Sequence, residues 1–418
     1  MPMLLGRPLR AVWLGVAILV CASPLAMAQT QEVVPSYQSL LTRLEQMPAA
    51  IEAAALSEAA DARAQQARAI ANPSLSWETE NIQGSGPYRG FGNAETTVSV
   101  TQPLELFGQR SARIGAARAD ALATGLRSEQ MRWRAAGRLA QVYSDAEAAS
   151  RRYDLAAEAL ALSEQDARAV ALLVEAGREA TLRDIQARSE TDAARAQLEE
   201  ARAVRDAAFA RLSAIAMLDA PVETLGASLL DTAPASHALD ASDPLAVRIA
   251  QAEVDAAGQR LTVEQRRARP DLSASMGMRR FRETGDDAFT IGLSVSVPLF
   301  DRNRGGVRAA YADQRAAEAR LTAQQQEARA DRLAAEATLS ASMARVRAAD
   351  SGVGAAEEAY RMARVGFDAG RLSQLELRST RASLISARNA AVEARLARVR
   401  AEIDLAGLEG RAPFGESR

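Results

Sequence analysis

The sequence predicts a mainly α-helical fold with a small β part, in which one helix–β-hairpin–long helical hairpin unit is used twice. Three observations predict it. Residues 72–110 and 269–304 each hold two runs of alternating apolar and polar residues around a turn-forming stretch. The intervals 104–220 and 299–412 contain no proline and are rich in Ala, Leu, Arg, Glu and Gln, all good helix formers. Ala176-Gly177-Arg178 returns as Ala369-Gly370-Arg371, and at the same offset Leu182 falls on Leu375, Arg188 on Arg381, Arg195 on Arg388 and Leu212 on Leu405.

The chain opens with the pattern of a secretory signal over residues 1–28. Arg7 and Arg10 form a basic region, residues 11–20 an apolar core too short to span a bilayer, and Ala26-Met27-Ala28 an A-x-A cleavage site. Cleavage after Ala28 is expected. Cys21, the one cysteine, lies inside the signal behind Val20, so no lipid anchor is expected. The mature chain then has neither a disulfide framework nor a thiolate metal site. Taking Arg7 and Arg10 from the 51 basic residues leaves 49 against 53 acidic ones, a formal charge of −4. That balance argues against nucleic acid as a partner. Every basic residue is arginine; nucleotide composition explains this without any function.

Residues 37–71 form a helical segment interrupted near Pro48, and Asn72-Pro73 ends it, because the residue before proline disfavours the α region. In the first hairpin, Leu75 and Trp77 alternate with Ser76, Glu78 and Glu80, and Val98 and Val100 with Thr97, Ser99 and Thr101. A period of two means a strand with one apolar and one polar face. Strands are expected at about 74–82 and 95–103. In the second hairpin Phe289, Ile291, Leu293, Val295 and Val297 set the same pattern, with strands at about 271–280 and 288–298. Both second strands are expected to stop at proline, Pro103 and Pro298.

Each proline-free interval reads as a long helix, a tight turn and a shorter returning helix. The turns are Glu175-Ala176-Gly177-Arg178 and Asp368-Ala369-Gly370-Arg371, since a glycine just past a helical run supplies a left-handed cap. The first long helix, about 109–174, would measure roughly 100 Å, so it needs packed neighbours. Leu155, Leu162, Ala169 and Leu173 are spaced for one seam. The repeats are therefore expected at 29–217 and 245–410, with a leucine-bearing linker at 218–244 and a disordered tail at 411–418.

Four amphipathic strands cannot close a barrel, and a polar face opposite an apolar face suits an outer-membrane wall between water and lipid. Two chains would give eight strands and a filled interior; three would give twelve and a lumen. The long helices would continue the wall as a tube.

The sequence resembles the TolC-like outer-membrane efflux proteins, nearest their heavy-metal branch. The resemblance rests on Asn72-Pro73, Glu78-Thr79-Glu80-Asn81, the run from Gln102 through Pro103, Leu104, Glu105, Leu106, Phe107, Gly108 and Gln109 to Arg110, and Val297-Pro298-Leu299-Phe300-Asp301-Arg302-Asn303-Arg304-Gly305. It implies a homotrimer with a twelve-stranded barrel in outer-membrane lipid and a periplasmic α-helical barrel. It also implies docking to a periplasmic adaptor and an inner-membrane, proton-driven pump of the RND type. Such a protein is a passive duct and not an enzyme; no cofactor and no resident metal is expected. The two turns, 175–178 and 368–371, become the adaptor-contact tips. Glu376, six residues past Gly370, matches a family position whose acids narrow the periplasmic mouth. The next family acid is replaced by Ser379, beside Arg378, which puts a double acidic ring in doubt. In the first repeat Arg183 occupies the matching place. The alternative for Glu376 is an ordinary solvated helix residue. Glu78 and Glu80 fall on the polar strand face, as lumen-lining groups or as plain exposed carboxylates.

The sequence disfavours two other function classes. His237, the sole histidine, has no nucleophile or base arranged near it in sequence, so an enzyme is disfavoured. A structural periplasmic coiled coil would not need four symmetric amphipathic strands. Within the duct reading, metal cations and organic compounds both stand as cargo.

Overall fold

The computed structural model describes residues 34–233 and 243–414. The expected signal, Cys21 and His237 lie outside them. Two short N-terminal helices, α1 (Tyr37–Leu41) and α2 (Pro48–Gln66), lead to β1 (Ser74–Glu80) and β2 (Glu95–Leu104). The helices α3 (Gln109–Glu175) and α4 (Thr181–Ile215) complete the first unit. The second unit repeats it with α5 (Leu245–Arg267), β3 (Asp271–Phe281), β4 (Asp287–Ser296), α6 (Arg304–Asp368) and α7 (Gln374–Glu409). Among the described residues no helix is long and apolar enough to cross a membrane.

The long helices run 67 residues in α3 and 65 in α6, about 100 Å each at 1.5 Å per residue. Without proline, nothing in either interval removes a ladder donor. Both end in the same way. Gly177 and Gly370 each adopt φ +69°, a left-handed cap. The Arg178 amide then donates to the Leu173 carbonyl and the Arg371 amide to the Gly366 carbonyl, each at 2.8 Å, closing a Schellman turn. The duplication extends to side chains. Arg195 pairs with Glu164, and at the same offset Arg388 pairs with Glu357; Leu212 and Leu405 are both buried.

The seam expected through Leu155, Leu162, Ala169 and Leu173 is only half covered, and Ala169 is exposed. The buried positions there are Ser163 and Val170, with the Ser163 hydroxyl 3.2 Å from that of Thr191 on α4. Apolar spacing marked a stripe on α3, but the small polar pair marks where α4 approaches.

The four strands form one antiparallel sheet in the order β1-β2-β3-β4. The two hairpins thus lie side by side through a β2–β3 ladder running from Glu95–Phe281 to Leu104–Leu272. β1 and β4 are left as free edges. One expectation changes here. β2 continues through Pro103, which faces Ser273. β1 pairs only as far as Ser74, opposite Thr101, so Pro103 interrupts no bond on that side. β4 ends two residues before Pro298.

The helices that flank each hairpin are joined to one another by polar contacts. Arg113 of α3 donates to the carbonyls of Ala67 and Ala69, and Arg110 to that of Arg68, just beyond the end of α2. Guanidinium groups suit this negative end of the helix dipole. In the second unit the Asn303 amide donates to the backbone carbonyl and the carboxylate of Glu264 on α5, at 3.0 and 2.6 Å.

The main core sits midway along the helices. Tyr37, Leu40, Leu139, Tyr143, Phe209 and Leu212 are buried there with Val222 and Leu229 of the linker. The Tyr143 hydroxyl donates to the Ala227 carbonyl at 2.8 Å, and burial pushes its pKa up to about 12. The linker leucines are held by a buried pair of charges. The Glu147 carboxylate accepts from the amides of Leu229 (2.9 Å) and Leu230 (3.2 Å), and Arg398 donates to both of their carbonyls. Residues 411–414, expected as the start of a disordered tail, are packed instead: Pro413 is fully buried and its carbonyl accepts from the Tyr37 hydroxyl at 2.8 Å. That hydroxyl needs a partner inside the core, and the tail supplies it.

Candidate functional site: the sheet and the helix tips

Strand register sorts the side chains of the sheet onto two faces. One face carries Leu75, Trp77, Val98, Val100, Met276, Met278, Phe289, Ile291, Leu293 and Val295. The other carries mostly serine, threonine, glycine and alanine, with Pro103, Phe281 at the far end and the few charged side chains described below. The apolar face is open in the single chain: Ile291 is 89% exposed, Phe289 83% and Trp77 78%. An apolar sheet face this bare needs a cover, and free strand edges need partners.

Glu78 and Glu80 both lie on the polar face. They sit near the end remote from the helices, beside the loop of residues 81–94. The register adds two groups that sequence reasoning did not single out. Glu95 is directly opposite Glu80, and Arg279 stands in the row of Glu78 and Thr97. The Arg279 guanidinium donates to Glu95 at 2.9 Å and to the Thr97 hydroxyl at 3.0 Å, and lies 3.2 Å from Glu80. No signal along the chain brings Arg279 to these acids, because the pairing of the two hairpins is a tertiary choice.

At the opposite end are the two tips, 175–178 and 368–371, both exposed. Leu182 and Leu375, equivalent by the repeat, are each 61% exposed beside them. The tips are Schellman turns, as their glycines required.

Glu376 is the third residue of α7 and forms a capping box with Ser373. Its amide donates to the Ser373 hydroxyl at 3.3 Å, and its carboxylate accepts from the Ser373 amide at 2.8 Å. These hydrogen bonds, the backbone one foremost, hold its carboxyl below the ordinary 4.5 within one chain. Ser373 followed three residues later by Glu376 is a cap signature legible in the sequence. In the first repeat Ala180 and Arg183 stand at these places, and α4 has no side-chain cap. Arg378 forms no ion pair with Glu376 among the described residues; it pairs with Glu190 of α4.

Beside the tips, the second helical hairpin is tied to the first by charge. Arg381 pairs with Asp166 of α3 and approaches Glu190 at 3.6 Å. Burial raises the Asp166 carboxyl, against the opposing pull of Arg381, Arg364 and Arg378. Further along α7, Arg388 bridges Glu158 of α3 at 2.6 Å and Glu357 of α6 at 2.9 Å.

An amphipathic four-stranded sheet with open edges, mounted on paired helical hairpins about 100 Å long, is the fold of TolC-like outer-membrane channels. The solved structure of CusC superposes with a TM-score of 0.77 over 90% of this chain and 92% of that one, at 18% identity. The open-state MtrE outer-membrane channel of Neisseria gonorrhoeae gives 0.77 over 90% and 89%, at 20% identity. The profile described as "Outer membrane efflux protein" matches residues 40–216 and 239–411, and the chain belongs to that family. Its relatives include the nickel-cobalt-cadmium resistance protein NccC of Alcaligenes xylosoxydans xylosoxydans, 38% identical over 75% of this chain and 72% of that protein. The nickel and cobalt resistance protein CnrC of Cupriavidus metallidurans is 38% identical over 73% of each chain. The family is one of efflux channels of the outer membrane and not of enzymes.

Proposed function

We propose that this protein is the outer-membrane duct of a tripartite export system, a homotrimer that passes divalent metal cations out of the cell. The observation that carries the reading is the sheet: its apolar face is bare, its opposite face polar, and both edges unpaired. Three copies would join β1 of one chain to β4 of the next and give twelve strands around a water-filled lumen. At 10 or 11 residues, β2, β3 and β4 match the length of a tilted membrane-spanning strand. Lipid would cover the apolar face.

In this reading the helical hairpins extend into the periplasm, and the tips at Gly177 and Gly370 dock a periplasmic adaptor. The energy comes from a proton-driven pump in the inner membrane. Glu376 faces the periplasmic mouth, Glu78 and Glu80 the lumen. The mature chain begins at Gln29. The cargo follows from the relatives, whose names speak of nickel, cobalt and cadmium resistance.

The test is a deletion strain. Loss of the protein should make cells sensitive to nickel, cobalt or cadmium salts, and the protein should fractionate with the outer membrane as a heat-dissociable trimer. A monomer in the soluble periplasmic fraction would overturn the duct. Unchanged metal tolerance with new sensitivity to organic compounds would overturn the cargo alone.

A further inference from the structure

On the polar face of the sheet the described strand residues offer four carboxylates and one guanidinium. Asp271 lies at the helix end. The other three carboxylates, Glu78, Glu80 and Glu95, gather at the far end, and Arg279 is set among them. Arg279 is fully engaged: its nitrogens reach Glu95, Glu80 and the Thr97 hydroxyl, so one side chain of β3 ties to both strands of the first hairpin. Glu78, one row nearer the helices, makes no ion pair among the described residues. The cluster is thus three acids against one base. Around it the face is lined by small hydroxyl side chains, by Gly277 and Gly292 and, opposite Glu95, by Phe281, which add no charge of their own.

We infer that Arg279 is a selectivity-determining residue of the duct, a fixed positive charge that limits how strongly the outer end of the lumen prefers cations. The inference rests on the duct reading and deepens it. With Arg279 each chain contributes a formal −2 at this level, and without it −3; a trimer would go from −6 to −9. The charges line a water-filled passage, so water and salt attenuate each of them, but three identical changes at one height act together. Small cations gain and small anions lose by the same potential, so the ratio of their permeabilities responds twice. Arg279 also differs from a surface arginine in being held on three partners, which keeps the charge in one place.

The test uses the full-length mature trimer in planar bilayers, with reversal potentials measured in a KCl gradient. The mature chain contains no cysteine once the signal is removed, so Arg279→Cys introduces a unique thiol. At about 0.1 M salt the K⁺/Cl⁻ permeability ratio should rise roughly two- to threefold in Arg279→Cys. A trimethylammonium methanethiosulfonate should return it toward the wild-type value, and a sulfonate reagent should raise it further. The differences should shrink near 1 M salt, where the screening length is about 3 Å. Glu78→Gln, which leaves Arg279 and its partners intact, should shift the ratio the other way. Channels that conduct but keep the wild-type ratio in Arg279→Cys, before and after both reagents, overturn the inference while leaving the duct standing. If Arg279→Cys fails to form trimers, an unchanged ratio in Glu78→Gln overturns it equally. A wild-type protein that never conducts overturns the duct reading and this inference with it.

Discussion

Replacing Glu147 with alanine should loosen the linker without unfolding the chain. The Glu147 side chain is 8% exposed and accepts four hydrogen bonds: from the amides of Leu229 and Leu230, from the Ser228 hydroxyl and, at 2.8 Å, from Arg151. Arg151 keeps Asp231 as a second partner, so its charge is not stranded. The two amides have no such reserve. A buried donor left without an acceptor costs about 1–3 kcal/mol, so the pair loses roughly 3 kcal/mol of local stability. At 1.4 kcal/mol per decade, hydrogen exchange at Leu229 and Leu230 should quicken by about 100-fold. Glu147→Gln keeps an acceptor but loses the charge, which contributes about half of such a bond, so it should quicken exchange only about tenfold. Amides in the middle of α4 serve as the internal control. Unchanged protection at both leucines in a folded Glu147→Ala protein would show that Arg398, which holds their carbonyls, suffices alone.

Gly177→Val and Gly370→Pro should abolish export while trimer and barrel survive: φ +69° is strained for a β-branched residue and closed to proline, which also loses the amide that Gly370 donates to Phe367. Metal tolerance of complemented cells and heat-dissociable trimer bands read the two arms, and unimpaired export in both variants would misplace the tips. Glu376→Gln, which can still form the capping box, should weaken block of single channels by multivalent cations if the carboxylate faces the mouth. Wild-type block in Glu376→Gln assigns the side chain to the cap alone. The cap itself, with its carboxyl held below 4.5, contributes above that pH and is lost as the pH falls through the lowered value. Mass spectrometry of the purified protein should show an unmodified chain beginning at Gln29; an acylated Cys21 would refute the cleavage site.

What could be read along the chain was whatever local chemistry writes. Period-two alternation located all four strands, absence of proline the long helices, and Gly177 and Gly370 both turns. Ser373 and Glu376 are equally legible as a cap, three residues apart at the start of α7. Contacts made across the fold left no such trace. Glu147 and Arg398 meet the linker 82 and 169 positions away, and nothing near either residue points there. Likewise the acids of the first hairpin were visible but not their partner, since Arg279 reaches Thr97 only across 182 positions. The packing of Pro413 is not legible in the chain, because a short polar tail carries no sign of the buried tyrosine that receives it.

The ladder between β2 and β3 also sets a timetable for folding. It pairs Glu95 with Phe281 at one end and Leu104 with Leu272 at the other, so the sheet cannot exist until the ribosome has delivered the second hairpin. Synthesis at about 5–20 residues per second makes that a wait of roughly 8 to 37 seconds. Throughout it, Leu75, Trp77, Val98 and Val100 belong to a lone two-stranded hairpin, which is marginal in water. The proline-free helices contain mostly local contacts and form early, whereas the strands depend on distant ones and form late. A nascent chain of this design therefore passes through a stage with finished helices and unfinished, adhesive strands, and the apolar strand faces need cover until all four strands can pair.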